Sequence, residues 1–237
     1  MRIAGMQKTT LLDFPGKMAA IVFTGGCNFA CPYCHNSELI SWGDDVPLMA
    51  EDEVFAYLNK RKNVLEGLVI SGGEPTLQRG LEDFIRRVRD LGYLIKLDTN
   101  GTTPKVLMDL CGKGLIDYVA MDVKGLDSLC PRICGLTKLD PAAQNVLQAN
   151  MQESIDYLLT GRVAYEFRTT LVQGLHTAAD VEGIAARIRG ASAYFLQNYR
   201  ESETVLCKDG LSPFSREQLE QFLAIVKKYV PVAQIRG

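Results

Sequence analysis

Short apolar runs alternate with longer amphipathic segments along this chain. The short runs are rich in β-branched and aromatic side chains and predict six strands, at residues 19–24, 68–71, 93–97, 118–123, 163–172 and 193–199. Between them, apolar residues recur at helical spacing, which predicts helices within residues 51–61, 77–91, 104–112, 141–160, 181–188 and 215–230. Strands that alternate with helices favour an α/β fold built on a parallel sheet.

Composition and charge are those of an ordinary globular protein. The chain has 237 residues, 47% of them hydrophobic and 23% charged, and this length suits one large α/β domain or two small ones. A net charge of −2 gives no reason to expect nucleic acid or an anionic membrane as a partner. No apolar run approaches the roughly 20 residues of a membrane span, and residues 1–10 do not resemble a signal peptide. Seven cysteines, an odd number, favour a reducing compartment, so we expect a cytoplasmic protein.

Three of the cysteines stand in one short loop directly after the first predicted strand. Cys27, Cys31 and Cys34 form a CxxxCxxC pattern behind Gly25-Gly26. Because thiolates hold iron–sulfur clusters, the loop predicts a 4Fe–4S cluster in which three local ligands leave one iron open. A zinc site or free thiols are the alternatives. Zinc normally takes four protein ligands or keeps an open water site, and His35 is poorly placed to complete a tetrahedron with its neighbours.

Glycines and polar side chains follow the other predicted strands as well. In parallel α/β folds, ligands bind at the carboxyl ends of the strands. We therefore expect these groups on the same rim as the cysteine loop, although loops at strand ends are commonly polar in any case. The groups are Gly72-Gly73-Glu74-Pro75, Asp98-Thr99-Asn100, Asp122-Val123-Lys124 and Arg200.

These motifs resemble those of the radical S-adenosylmethionine (SAM) enzymes. The cysteine pattern with Tyr33 before its last cysteine resembles the family's cluster motif, and Gly72-Gly73-Glu74-Pro75 resembles its GGEP segment. Further segments are similar to those of the glycyl-radical-enzyme activases, in particular the branch that activates anaerobic ribonucleoside-triphosphate reductase. These segments are residues 11–17, 23–29, 34–36, 98–101 and 121–124. The resemblance covers nearly the whole chain. It implies a partial (β/α)6 TIM-like barrel.

The resemblance also implies a domain organisation. Residues 1–237 would form a single radical SAM domain, with the N-terminal segment 1–18 and the C-terminal helix 215–230 flanking the barrel.

As for cofactors, the resemblance implies one 4Fe–4S cluster with Cys27, Cys31 and Cys34 as metal ligands and S-adenosylmethionine on the fourth iron. Tyr33 corresponds to the family aromatic that lies by the adenine. A packed core aromatic is the simpler explanation for Tyr33, and both can hold at once. No side chain beyond the cluster and cofactor is required as a nucleophile or general base.

Backbone groups of Gly72 and Gly73 would approach the methionine part of the cofactor, with Glu74 near its ammonium. A plain strand-to-helix turn is the alternative, for which glycine and proline are also suited. Arg200 stands where several activases carry a histidine, so its role is open, although it could make a polar contact to S-adenosylmethionine. His176 lies in a turn before a helix, where a solvated or capping histidine is expected.

Charged residues at three strands complete the expected cofactor site. Asp98, Asp122 and Lys124 resemble activase positions around the ribose and the methionine carboxylate, and Arg168 resembles a family arginine that reaches the ligand. Activases of the pyruvate formate-lyase kind also bind a monovalent cation through aspartates at these positions. The alternatives are helix caps or ion pairs for the aspartates. For Arg168 the alternative is a structural pair with Glu166 or Asp122.

Four cysteines remain outside the motif, namely Cys111, Cys130, Cys134 and Cys207. They lack the compact spacing of ferredoxin-type clusters, so buried or idle thiols are expected. Cys130 and Cys134, in the predicted loop after Lys124, are the pair in which a second cluster would be sought.

The expected function is that of an activase. An external donor, flavodoxin or ferredoxin, reduces the cluster; S-adenosylmethionine is cleaved; and the resulting radical removes a hydrogen atom from a glycine of a large partner, anaerobic ribonucleotide reductase. Two alternatives remain open at this point. One is a radical enzyme acting on a small molecule or peptide, such as a 7-carboxy-7-deazaguanine synthase-like protein. The other is a non-enzymatic metal scaffold or electron carrier.

Overall fold

A computed structural model describes residues 1–41, 48–125, 130–207 and 209–236. The chain forms two compact units. Unit 1 comprises Met1–Asn28, Glu38–Thr99 and Thr103–Ala120, and unit 2 comprises Phe29–Ser37, Asn100–Thr102 and Met121–Gly237. The expected single domain with flanking segments at 1–18 and 215–230 stays a prediction.

Unit 1 is built on strands that follow one another in chain order. β1 (Ile3–Thr10) runs antiparallel to β2 (Ala19–Thr24), which pairs in parallel with β3 (Gly67–Gly72). β3 pairs in parallel with β4 (Leu94–Thr99), and β5 (Tyr118–Asp122) follows in the order. The central strands β2 and β3 are buried almost throughout, as their unbroken apolar runs predict.

Helices α1 (Glu51–Arg61), α2 (Leu81–Asp90) and α3 (Pro104–Gly112) accompany these strands. The helix predicted within 77–91 is shorter than expected. Pro75–Leu77 forms a separate 3₁₀ turn, and Gly80 adopts a left-handed conformation (φ 78°) before α2 begins. One core cluster of this unit packs Phe14 against Ala19, Ile21 and Val69, so the turn after β1 is anchored by a buried ring.

Unit 2 contains the last two residues of β5, followed by β6 (Ala164–Leu171), β7 (Tyr194–Asn198) and β8 (Gln234–Arg236). β6 pairs in parallel with β7, and β7 with β8. Its helices are α4 (Cys130–Ile133), α5 (Pro141–Leu159), α6 (Ala178–Arg187) and α7 (Arg216–Val226).

Two predicted helix starts in unit 2 are confirmed by their caps. The Asp140 carboxylate accepts a hydrogen bond from the Ala143 amide (3.0 Å), with Pro141 in the first helical position. Ser215 and Gln218 form a reciprocal capping box at the start of α7.

The six predicted strands correspond to β2 through β7, so the predicted α/β class with parallel strands is confirmed. Among the described residues, the strands β1 and β8 and the helix α4 were not predicted, nor were the short 3₁₀ turns at Ser37–Leu39 and Pro75–Leu77. The third predicted strand, 93–97, began one residue and ended two residues too early, because β4 starts at Leu94 and continues through Asp98 and Thr99. Within the described residues, no helix has the length and apolar character needed to cross a membrane.

Candidate functional site

The first part of the cysteine loop belongs to unit 1 and is fixed by main-chain hydrogen bonds. The Gly26 amide donates to the Leu39 carbonyl (2.7 Å), and the Cys27 amide donates to the Ile40 carbonyl (3.2 Å). Gly26 has a φ of 95°, a conformation that favours glycine. Cys27 itself is half-buried. Because these hydrogen bonds fix its backbone, its thiol has a defined position shortly after the end of β2.

Gly72 and Gly73 allow the end of β3 to approach this backbone very closely. A Cβ on Gly72 (φ 116°) would lie 2.3 Å from the Thr24 nitrogen, and one on Gly73 would lie 2.1 Å from the Gly26 carbonyl oxygen. The Glu74 amide donates to that same oxygen (2.9 Å). The two glycines are therefore needed to set the GGEP segment against the residue that precedes Cys27.

The carboxylates predicted for this part of the site are held by hydroxyl and ammonium groups. Glu74 is only 1% exposed, and one of its oxygens accepts hydrogen bonds from the Thr76 amide (3.1 Å), the Thr76 hydroxyl and the Thr99 hydroxyl (2.8 Å). Asp98 pairs with the Lys96 ammonium and accepts from the Ser71 hydroxyl (3.0 Å). Lys96 was not predicted as a site residue, although a lysine inside the apolar run 93–97 was the available signal.

A cavity of about 920 Å³ opens beside Cys27 within unit 1. Its lining includes Gly25, Gly26, Gln78, Arg2 and Arg79 as well as Cys27. The Gln78 side chain shapes one wall, because its amide donates to the Gly25 carbonyl (2.8 Å) and its oxygen accepts from the Arg2 amide (3.1 Å).

The second part of the loop belongs to unit 2 and is buried more deeply. The Cys34 amide donates to the Cys31 carbonyl (3.0 Å), which closes a turn between the two cysteines. A hydrogen bond from the Cys134 thiol lowers the pKa of Cys31, against the opposing effect of burial, and the positive charge of Lys124 adds to this lowering. Burial raises the pKa of Cys34. Iron binding would deprotonate both thiols, whatever their free pKa values.

Tyr33 lies inside this turn and is 4% exposed. Its hydroxyl is the buried side-chain polar atom for which no hydrogen-bond partner is found among the described residues. Such a group costs about 1–3 kcal/mol when it is left unpaired. Burial raises its pKa well above the ordinary value, and the Lys124 ammonium lies 6.0 Å from the ring centroid. An orphaned hydroxyl beside the cysteines fits a site that receives a polar ligand.

Asp122, Lys124 and Arg168 form a compact ionic cluster in unit 2. Arg168 Nε lies 2.9 Å and Lys124 Nζ 3.2 Å from the two Asp122 carboxylate oxygens. Burial acts to raise the pKa of Asp122, but the charges of Arg168 and Lys124 outweigh it and lower the pKa to about 2. Asp122, one of the two structural partners considered for Arg168, pairs with it in the structure. Glu166, the other one considered, forms a two-point pair with Arg236 (2.9 and 3.0 Å).

The remaining polar candidates differ in exposure. Arg200 is exposed, and its charge contributes, after burial, to the lowered pKa of His35. The expectation of a solvated or capping His176 was wrong, because this ring is 5% exposed. The Val172 amide donates to its Nδ1 (3.2 Å), so Nε2 donates to the Lys124 carbonyl (2.9 Å). His176 therefore anchors the backbone of Lys124.

The four cysteines outside the motif are placed as follows. Cys130 and Cys134 are 1% and 0% exposed, and their sulfurs lie 3.6 Å apart. Cys130 is the first residue of the short helix α4, which was not predicted, and Cys134 lies in the turn that follows it. Cys207 is exposed, while Cys111 is half-buried on α3. All seven cysteines lie within the described residues, and none of them forms a disulfide there.

The donor set fits an iron–sulfur cluster by its chemistry. Three thiols stand within eight residues, and the turn that carries two of them also holds the orphaned Tyr33 hydroxyl. Over the described ranges, no three Cys, His, Asp or Glu side chains are already gathered as a metal site. Metal binding often orders its own ligands, so the thiols need not be gathered before the cluster binds. The cysteine loop is therefore judged to fit a cluster by its donor types and their spacing in the sequence.

Comparison with known proteins gives concordant matches. The model of the Radical SAM superfamily matches residues 21–150. A Methanocaldococcus jannaschii protein, provisionally named a glycyl-radical enzyme activating enzyme, is 30% identical over 99% of this chain and 95% of its own length. A 7-carboxy-7-deazaguanine synthase of Thermococcus kodakarensis is 29% identical over 46% of this chain and 50% of its own length.

A solved structure supports the same fold. Streptococcus suis SuiB, bound to S-adenosylmethionine, matches 90% of this chain and 48% of its own chain with a TM-score of 0.68 and 15% sequence identity. At that level of identity the likeness concerns the fold alone, and it agrees with the predicted α/β fold.

Proposed function

The chain belongs to the radical SAM superfamily, whose members use a 4Fe–4S cluster and S-adenosylmethionine, and from this premise we propose that it activates a glycyl-radical enzyme. The observation that carries the proposal is the match to the M. jannaschii protein along 99% of this chain. The sequence segments at 11–17, 98–101 and 121–124 support the same branch.

In this proposal Cys27, Cys31 and Cys34 would each bind one iron of the cluster. Three thiolates leave the fourth iron for S-adenosylmethionine. When bound, the cluster supplies the electron that cleaves S-adenosylmethionine into methionine and a 5′-deoxyadenosyl radical. The chain's own residues bind and orient the cofactor and exclude water. Lys124 favours the thiolate of Cys31 through its positive charge.

The contacts to S-adenosylmethionine are proposed residue by residue. Gly72 and Gly73 offer backbone groups, since both residues are only half-buried, and Tyr33 offers its buried hydroxyl to a polar group of the adenosine. The remaining residues proposed to contact the cofactor are charged; they are Glu74, Asp98, Asp122, Lys124, Arg168 and Arg200. Asp98 and Asp122 are the proposed ligands of a monovalent cation.

The proposed protein substrate is a glycyl-radical enzyme, and within that class we favour anaerobic ribonucleoside-triphosphate reductase. A hydrogen atom would move from one backbone glycine of the partner to the 5′-deoxyadenosyl radical, which yields 5′-deoxyadenosine and a glycyl radical. Flavodoxin or ferredoxin is the proposed electron donor, in an anaerobic cytoplasm.

A second candidate is a 7-carboxy-7-deazaguanine synthase-like activity on a small molecule. The specific observation in its favour is the 29% identity to the T. kodakarensis enzyme. That match covers 46% of this chain, so it supports the shared cofactor chemistry more than the substrate.

One anaerobic experiment separates these candidates. The protein is reconstituted with iron and sulfide and incubated with S-adenosylmethionine, dithionite and an anaerobic ribonucleotide reductase. The activase proposal expects 5′-deoxyadenosine together with a glycyl EPR doublet on the reductase. The incubation is repeated with other glycyl-radical enzymes in place of the reductase. Cleavage of S-adenosylmethionine without a glycyl doublet on any of these enzymes would overturn the activase proposal.

Two variants test the cluster ligands in the same assay. Cys31→Ala is expected to abolish cleavage, whereas Cys111→Ala, on α3 outside the loop, should retain it. Equal loss in both variants would contradict the ligand assignment.

A further inference from the structure

A buried histidine of unit 2 stands directly behind one of the residues proposed to contact S-adenosylmethionine. His176 is 5% exposed and lies in the connection between β6 and α6. The Val172 amide donates to its Nδ1 (3.2 Å), so Nε2 carries the proton and donates to the Lys124 carbonyl (2.9 Å). Both ring nitrogens are therefore engaged by the main chain, and His176 keeps no nitrogen with which to bind a ligand directly.

The main chain that leads to Lys124 is tied to β6 by further hydrogen bonds. The Val123 amide donates to the Arg168 carbonyl (2.8 Å), and the Thr169 hydroxyl donates to the Val123 carbonyl (2.6 Å). His176 supplies the next contact along the chain, at the Lys124 carbonyl. The backbone that carries the Lys124 side chain is thus held by β6 up to Val123 and by His176 at Lys124 itself.

The Lys124 side chain depends on this backbone for its direction. Its Nζ lies 3.2 Å from a carboxylate oxygen of Asp122 and 6.0 Å from the centroid of the Tyr33 ring. The side chain is 18% exposed, so most of its stem is packed. A lysine presents a point charge on a flexible four-carbon stem, and a charge that is already held in place loses less entropy when it binds a ligand.

We propose that His176 is a positioning residue, which through its hydrogen bond to the Lys124 carbonyl sets the direction in which the Lys124 ammonium meets S-adenosylmethionine. This inference rests on the proposed contact between Lys124 and the cofactor. The alternative is a purely structural role, in which His176 only supports the turn after β6. The two roles can be separated, because each ring nitrogen makes a different hydrogen bond and each bond can be removed by itself.

Glutamine and asparagine each retain one half of the imidazole. In His176→Gln the side-chain NH2 reaches the position of Nε2 and can donate to the Lys124 carbonyl, while the acceptor for the Val172 amide is lost. In His176→Asn the shorter side chain keeps an acceptor near Nδ1 for the Val172 amide and leaves the Lys124 carbonyl without its donor. The two variants are therefore matched controls for one another.

Calorimetric titration of the reconstituted protein with S-adenosylmethionine measures the effect on the cofactor. His176→Asn is expected to bind about tenfold more weakly than wild type, and His176→Gln within about twofold of it, which is the order of one lost contact to a charged group. Iron content and circular dichroism accompany each titration. Wild-type affinity in His176→Asn would overturn the proposal. Loss of iron or of folding in His176→Asn would also overturn it, because His176 would then support the whole unit.

Amide hydrogen exchange in the cluster-free protein, followed by NMR, tests the anchoring without any cofactor. The Val123 amide precedes the anchored residue and should exchange about tenfold faster in His176→Asn than in His176→Gln. The Phe167 amide, bonded to the Ala193 carbonyl (3.0 Å), is the control and should exchange equally in both variants. Equal exchange of the Val123 amide in the two variants would contradict the proposal.

A double-mutant cycle separates this inference from the function on which it rests. If His176 acts through Lys124, adding His176→Asn to Lys124→Met should weaken S-adenosylmethionine binding no further, whereas additive losses would overturn the proposal. If Lys124→Met alone bound the cofactor as tightly as wild type, the proposed contact would be wrong, and the inference would be overturned with it. If Lys124→Met bound more weakly while His176→Asn bound as wild type, only the role of His176 would be overturned.

Discussion

Replacing Gly73 with alanine tests whether the close approach of the GGEP segment to the cysteine loop is required. The new methyl group would lie 2.1 Å from the Gly26 carbonyl oxygen and 3.3 Å from the Cys27 nitrogen, whereas ordinary contacts begin at 3.4 Å. Both neighbours are backbone atoms, so one of the two segments must move by about 1 Å. Gly73 does not have a positive φ, which makes the effect purely steric.

The magnitude follows from two contributions. Overpacking of this kind costs about 1–3 kcal/mol. Displacing the Gly26 carbonyl also weakens its hydrogen bond from the Glu74 amide, which is worth about 0.5–1.5 kcal/mol net. We expect Gly73→Ala to lower the free energy of unfolding by about 2–4 kcal/mol, or the melting temperature by roughly 4–16 °C for a chain of this size.

The assay is thermal and urea unfolding of the cluster-free protein, with iron retention as a second measurement. Gly112→Ala is the matched control, because Gly112 ends α3 with no atom within 4 Å of the added methyl. Alanine there should leave stability unchanged or raise it by up to about 1 kcal/mol. If Gly73→Ala unfolded at the same midpoint as Gly112→Ala and retained as much iron, the steric reasoning would be refuted.

Three further predictions concern polar groups. Tyr33→Phe removes the buried hydroxyl that has no hydrogen-bond partner among the described residues, and it should raise the unfolding free energy of the cluster-free protein by about 1 kcal/mol. The same change should weaken S-adenosylmethionine binding to the reconstituted protein in calorimetry. A lower unfolding free energy in the variant would contradict this prediction. The folded pKa of Asp122, about 2, lies below its ordinary value of 3.8. The stabilisation that the Asp122 carboxylate provides is therefore complete above about pH 4 and is lost as the pH falls toward 2. The urea midpoints of wild type and Asp122→Asn should converge as the pH falls below about 4. A constant difference between the two midpoints down to about pH 2 would count against this prediction. Arg236→Met removes one two-point partner of the fully buried Glu166 and should cost about 1–3 kcal/mol in urea unfolding. This is less than the roughly 3–5 kcal/mol of fully enclosed pairs, because Arg236 is one-third exposed. A change below about 0.5 kcal/mol would refute this prediction.

The strands of this fold could be predicted wherever a buried run stands between turn residues. β2 and β3 are unbroken apolar segments buried on both faces, so their sequences alone identify them. β1 could not be predicted, because much of it is exposed and its polar residues show no regular alternation. β8 could not be predicted because three residues are too few to show a strand pattern. Helix starts could also be predicted from their capping residues, as Asp140 before α5 and Ser215 before α7 show.

The candidate site was predictable in its residue types but not in its pairings. Cysteine spacing and the GGEP segment indicate a cofactor without any structure. Which charge pairs with which depends on tertiary contacts, and so Arg168 could not be assigned to Asp122 rather than Glu166. The hydrogen bond from the Ala30 amide to the Cys134 carbonyl joins residues 104 positions apart in the sequence, and no local pattern signals it.

The burial of His176 has a practical consequence for spectroscopy. The chain contains two histidines, so an imidazole nitrogen NMR spectrum of the cluster-free protein has only two ring systems to distinguish. His35 is exposed and will titrate, whereas protonation of His176 at Nδ1 would break its bond from the Val172 amide. Burial lowers the pKa of His176, so the resonance of this enclosed ring is expected to respond last as the pH falls. Because its Nε2 bonds to the Lys124 carbonyl, the same resonance reports on the main chain of that lysine during reconstitution.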